Sequence, residues 1–281
     1  MAEKERIGTG TESDGSEMSF LDHLEILRWH LIRSVSVVML LGVVAFAAKR
    51  LVFDVIIFGP KDPNFITYRM FCKLSQAMGL DDALCMTELP FTLQNIDMAG
   101  QFTTHIWVSL IAGFIVGFPY VLWEVWRFIK PGLKSKESNY ARGVVFFSSL
   151  LFMMGVSFGY FMIAPLSVNF LGSYTVSAQV ANEINLGSFI STVTTVTLAS
   201  GLIFELPILV YFFTKIGLLT PEMMKSYRRH AIVVTVILSA VITPPDIASQ
   251  VLVSLPLLIL YEISIFISAR VIKNQMKAQN G

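Results

Sequence analysis

Apolar residues gather into six runs along the chain, at 31–48, 106–123, 144–166, 186–214, 231–243 and 247–269. Most approach or exceed the ~20 residues needed to cross about 30 Å of hydrocarbon. None alternates with period two, and lipid offers backbone groups no partner, so each run predicts a helix. The pattern therefore predicts an all-α integral membrane protein with six transmembrane helices. Pro207 sits inside the fourth run, where a missing backbone donor predicts a kink. Only 14 residues separate Arg229 from Pro244, and 15 separate Asp246 from Glu262. At 1.5 Å per residue these are rods of about 21–23 Å, so the fifth and sixth helices read as a short hairpin. Pro244, Pro245 and Asp246 form its turn, and Pro60 marks another turn before the second helix.

Composition agrees with the pattern. The chain is 54% hydrophobic and 15% charged, with a mean hydropathy of +0.65, against about 25% charged for an ordinary soluble domain. A net charge of +1 favours neither nucleic acid nor an acidic ligand. The distribution of charge says more: with the N-terminus inside, 16 of the 21 Lys and Arg fall on inner segments and five on the outer loop 49–103. That bias places both termini in the cytoplasm. Residues 1–18 are polar, without the apolar core of a cleaved signal peptide, and read as a disordered tail; 271–281 form a second inner tail. Between them, 19–270 make one membrane domain. The outer loop holds Cys72 and Cys85, the two cysteines of the chain. A disulfide between them suits an oxidising compartment, with two free thiols as the alternative.

Candidate chemistry lies in a few carboxylates. The stretch "SFLDHLEILRWHL" repeats Phe20, Leu24, Leu27 and Leu31 at helical spacing and leads into the first run. On its polar side, Glu25 and Arg28 stand three apart, as a local pair worth a few tenths of a kcal/mol would. Glu124 and Arg127 read as another helix-end pair without a function. Glu137 stands among Lys134, Lys136 and Arg142 in the first inner loop. Glu205 is the outlier, an acid in "SGLIFELPILVYFF", where an ionised group costs roughly 2.5–3.5 kcal/mol on insertion scales. The many hydroxyls before it, from Ser188 to Ser200, predict that the fourth helix lines a polar concavity, with Gln250 and Glu262 as companions of Glu205.

In order, "HLEILR", "FIKPGLKSKE", "FELP", "TPPDIASQ" and "YEI" resemble the TatC family, the multispanning receptor subunit of the twin-arginine protein translocase. The likeness runs from about residue 19 to 270. It implies a bacterial cytoplasmic-membrane protein that binds signal peptides carrying two consecutive arginines. It further implies export of folded cargo using the proton gradient, in homo- and hetero-oligomers with single-span TatA and TatB subunits. Planar guanidinium groups favour bidentate carboxylates, so two arginines call for acids at the cytoplasmic surface. By position the family's loop acid is Glu137, with Phe128 and Pro131 as companions. The acid of the first helix falls on Ile26; Glu25 stands one residue earlier, beside Arg28, about 100° round the helix. His30 occupies a position where the family commonly has arginine.

Two other classes compete. A secondary transporter would also use a proline-broken helix and a midplane acid, but its halves should resemble one another, and only "FELPI" and "YEISI" do. An enzyme would need clustered chemistry. His23, His30, His105 and His230 are scattered, and no HExxH or GxSxG occurs, so no catalytic, metal or cofactor site is predicted.

Overall fold

The computed structural model describes residues 20–79, 85, 91–129, 141–177, 179–243 and 247–279, with the side chains of 20–23, 141–142, 247–249 and 278–279 left aside. Pro131, Glu137, Pro244, Pro245 and Asp246 lie outside the described residues. Five helical segments are long and apolar enough to cross a membrane: Leu24–Ala47, Gly100–Ile129, Gly143–Ser173, Leu186–Lys215 and Gln250–Lys277.

The first two form an antiparallel pair, α1 (Phe20–Ala47) and α3 (Gly100–Ile129). In lipid, helices associate through close packing rather than a hydrophobic driving force, and small residues let backbones approach. Gly113 does this here: a Cβ on it would lie 2.5 Å from Gly42 N and 2.6 Å from Val38 O. The third segment comprises α4 (Ala141–Phe158), a π-helical turn at Gly159–Ile163 and α5 (Ala164–Ser173). It packs on α6 (Leu186–Ile203) with equal intimacy, since a Cβ on Gly155 would meet Ser200 O at 2.6 Å.

The fourth segment bends as Pro207 predicts. The helix stops at Ile203, turns through Phe204 and Glu205, and resumes as α7 (Leu206–Lys215) with Pro207 in its first turn, where proline costs no hydrogen bond. After α8 (Pro221–Ser226), α9 runs from Arg228 to Ile242, 15 residues or about 22 Å. The expected short partner is different. The final helix, α10 (Ile247–Gln279), has 33 residues. Glu262 does not end it, because that carboxylate accepts a 2.7 Å hydrogen bond from Arg228 Nη2 and an apolar run resumes at Ile263. Only the first arm of the hairpin is short, and Arg228 ties its start to the middle of α10.

The described residues between α1 and α3 form a folded cap. It contains a π-helical turn at Leu51–Ile57, a 3₁₀ turn at Gly59–Lys61, α2 (Ile66–Ala77) and β1 (Thr92–Gln94). β1 pairs in parallel with β2 (Glu183–Asn185), Leu93 opposite Ile184, so the architecture is helical with one small sheet. Buried Pro60 does sit in a turn, and its carbonyl accepts a 2.7 Å bond from the Tyr68 hydroxyl, which also reaches Pro165 O at 3.0 Å. Burial pushes the Tyr68 hydroxyl well above its ordinary titration range. Cys72 and Cys85 form a disulfide across the cap. Beneath it Val52, Val108, Phe189 and Val193 form one apolar cluster; Val196, Phe204, Val253 and Leu257 form another deeper along α6 and α10.

Candidate functional site

The end of the α1–α3 pair that lies away from the cap carries an ionic cluster. Glu124 is almost wholly buried, at 1% side-chain exposure. Its Oε2 meets His30 Nδ1 from α1, 94 residues away in sequence. Arg127 Nη1 approaches Oε1 at 3.5 Å. Arg127 is therefore a distant second partner, half exposed, and the main contact of Glu124 is between helices rather than along one. Phe128 stands edge-on to the His30 ring, with centroids 6.3 Å apart. A signal for this existed in the sequence: His30 directly precedes the first apolar run and Glu124 directly follows the second, so antiparallel packing puts both at one depth.

Glu25 lies five residues before His30, about 7.5 Å along α1. Both it and Arg28 are exposed. Among the described residues neither forms an ion pair, so the expected local pair is not made. Helix α1 thus presents an accessible carboxylate about one and a half turns before the interhelical clamp and about 140° round the helix from His30. Of the expected companions, Phe128 is brought to α1 through His30, whereas Pro131 and Glu137 fall outside the described residues.

Mid-span, Glu205 occupies the break between α6 and α7, 8% exposed. Ser148 on α4 donates a hydrogen bond to its Oε2. Its Oε1 is buried with no hydrogen-bond partner among the described residues. Buried polar atoms without partners are uncommon and costly, roughly 1–3 kcal/mol, which makes this carboxylate a site of stored polarity. Its predicted companions are engaged elsewhere. Gln250 Nε2 donates to Val236 O at 3.4 Å, and Glu262 holds Arg228. Of the α6 hydroxyls, Ser188, Ser191 and Thr195 are exposed and Thr197 Oγ1 is buried with no hydrogen-bond partner among the described residues, while Thr194 and Ser200 are buried and donate to their own helix, to Ile190 O and Val196 O. Short polar side chains satisfy themselves on the preceding turn when apolar neighbours surround them. Among the described residues no group of three or more His, Cys, Asp or Glu could hold a metal ion.

Comparison with known proteins points one way. The family profile described as "Sec-independent protein translocase protein (TatC)" matches residues 22–256. A protein of that description from Blattabacterium sp. subsp. Periplaneta americana is 38% identical over 265 residues, covering 94% of this chain and 100% of its own length. Another from Aquifex aeolicus is 33% identical, covering 93% and 99%. A crystal structure described as twin arginine translocase receptor TatC matches at a TM-score of 0.65 and 32% identity, over 88% of this chain and 97% of the other. With similarity covering about nine-tenths of its length in both sequence and backbone, the chain belongs to the TatC family of Sec-independent protein translocase proteins.

Proposed function

We propose that this chain is the receptor subunit of a twin-arginine translocase, binding export signal peptides through their paired arginines at its cytoplasmic rim. The observation that carries this is Glu25: exposed, without an ionic partner among the described residues, and placed on α1 at the same end as the His30–Glu124 clamp, between that clamp and the helix start. A free carboxylate suits a guanidinium ligand, whereas Glu124 is buried and already engaged. Glu137 supplies the second acid from the first inner loop, with Pro131 shaping that loop.

The protein spans the bacterial inner membrane six times, both termini inside, with α9 as a thin fifth span. Its bilayer-facing surface thins the membrane locally at the α9 hairpin, because a short apolar length is met by bilayer thinning. Proton-gradient-driven export of folded cargo engages Glu205, whose Oε1 is buried without a partner among the described residues. Single-span TatA and TatB subunits complete the assembly.

Photo-cross-linking of a twin-arginine signal peptide to the membrane-embedded full chain tests the binding step. Capture is expected, with loss when both peptide arginines become lysine, since lysine keeps charge but not the planar fork. Glu137→Lys should abolish capture and Glu25→Lys weaken it. Undiminished capture of the lysine peptide refutes receptor function; undiminished capture by Glu137→Lys refutes that residue's role.

A further inference from the structure

The outer face carries a feature that peptide binding does not use. Two cavities of about 550 and 450 Å³ abut there, sharing Phe58, Gln101 and Leu186 as walls. Each falls within the roughly 300–1,000 Å³ of ordinary ligand sites. Lys49 and Arg50 line the first and Lys61 the second, with Asp54 the one acid among the lining residues of either. None of these three cations forms an ion pair with a described residue.

Depth decides what such a groove can hold. Lys49 stands two residues beyond the span Leu24–Ala47, Gln101 is the second residue of Gly100–Ile129, and Leu186 begins Leu186–Lys215. Three span ends converge on the groove, which therefore lies at the boundary between hydrocarbon and headgroups. Positive residues are depleted on this side of the chain, five against 16, yet three of the five sit in this one groove.

The walls are fixed and aromatic. His105 stacks on Phe46 with centroids 3.8 Å apart, stands edge-on to Phe53 at 5.3 Å, and contacts Phe46 O through Nε2 at 3.1 Å. Phe102, 62% exposed, carries an apolar surface from the groove towards the lipid. Cations above, rings at the boundary and an apolar exit below match the profile of a phospholipid, phosphate first and acyl chains last.

We propose that this groove binds the phosphate headgroup of an anionic phospholipid, with Lys49 and Arg50 as the principal phosphate ligands and Lys61 extending the site. Free phosphate is disfavoured as the occupant. Exposed charges in salt water bind a small ion weakly, while a lipid is held at the surface by its chains. The assignment to the outer leaflet rests on the orientation proposed above; binding itself does not.

Native mass spectrometry of the full-length protein in detergent, titrated with phosphatidylglycerol or phosphatidylcholine, tests the site. Phosphatidylglycerol should bind with clear preference. Lys49→Gln together with Arg50→Gln should lower that affinity about 30-fold, since each interfacial cation contributes roughly fivefold. Lys73→Gln, which removes an exposed outer cation away from the groove, should leave it unchanged. Millimolar inorganic phosphate should not displace the lipid. Equal binding of the two lipids, full affinity in the double variant, an equal loss in Lys73→Gln, or displacement by phosphate would each overturn the proposal. Twin-arginine peptide capture, measured on the same variants, separates failure of this site from failure of the receptor assignment.

Discussion

Removing His30 should destabilise the protein by stranding Glu124. In the wild-type chain that carboxylate is 1% exposed and is held by His30 and, at 3.5 Å, by Arg127. Breaking a buried charged pair from one side costs about 3–5 kcal/mol, because the remaining group is left desolvated without its partner. Arg127 persists as a secondary partner in His30→Ala, so the low end, about 3 kcal/mol, is expected. At roughly 2–4 °C per kcal/mol for a chain of this size, the detergent-solubilised protein should lose about 6–12 °C in Tm. Glu124→Gln keeps the shape and removes the charge, so it should cost only about 1 kcal/mol. The decisive measurement is the cycle: His30→Ala combined with Glu124→Gln should cost much less than the two single changes added together, by about 1–2 kcal/mol of coupling. Strict additivity, or a Tm for His30→Ala within about 2 °C of wild type, would refute a clamp between α1 and α3.

Three further outcomes are expected. Gly113→Val should force α1 from α3, since its Cβ would meet backbone atoms of Gly42 and Val38 that cannot rotate away; a loss of at least the 1–3 kcal/mol typical of overpacking should appear in Tm, with weaker cross-linking between cysteines placed on the two helices. Cys72 and Cys85 should resist alkylation until reduced, and reduction should cost up to about 3 kcal/mol, the loop-closure value for a sequence separation of 13; ready labelling of the oxidised protein would count against the bridge. Glu205→Gln retains a carbonyl acceptor for Ser148 and should fold and assemble normally while lowering export of a folded reporter, whereas unaltered export would leave the carboxylate a structural role only.

Much of the membrane architecture could be read from the chain because one solvent condition dominates it. Backbone groups in lipid must pair internally, so long apolar runs are helices wherever they occur, and Pro207 marks a break by its missing donor alone. What went unread involves contacts between distant segments. Residues 92–94 and 183–185 are too short to show a period, and pair only because the cap folds over α3 and α6. By spacing alone Glu262 reads as the end of a short helix, whereas Arg228 opposite it pairs with the carboxylate partway along a longer one. By spacing alone Glu124 reads as the partner of Arg127, three residues on, because His30 is 94 residues away.

Sequence alone was enough for the helical class, the charge asymmetry, the bend in the fourth span and the family, since each follows from local composition, spacing or ordered motifs. The partners of its carboxylates were a matter of three-dimensional packing. A carboxylate is governed by what lies within a few ångströms, and helix crossings, not sequence spacing, brought Ser148 to buried Glu205, His30 to buried Glu124 and Arg228 to half-exposed Glu262.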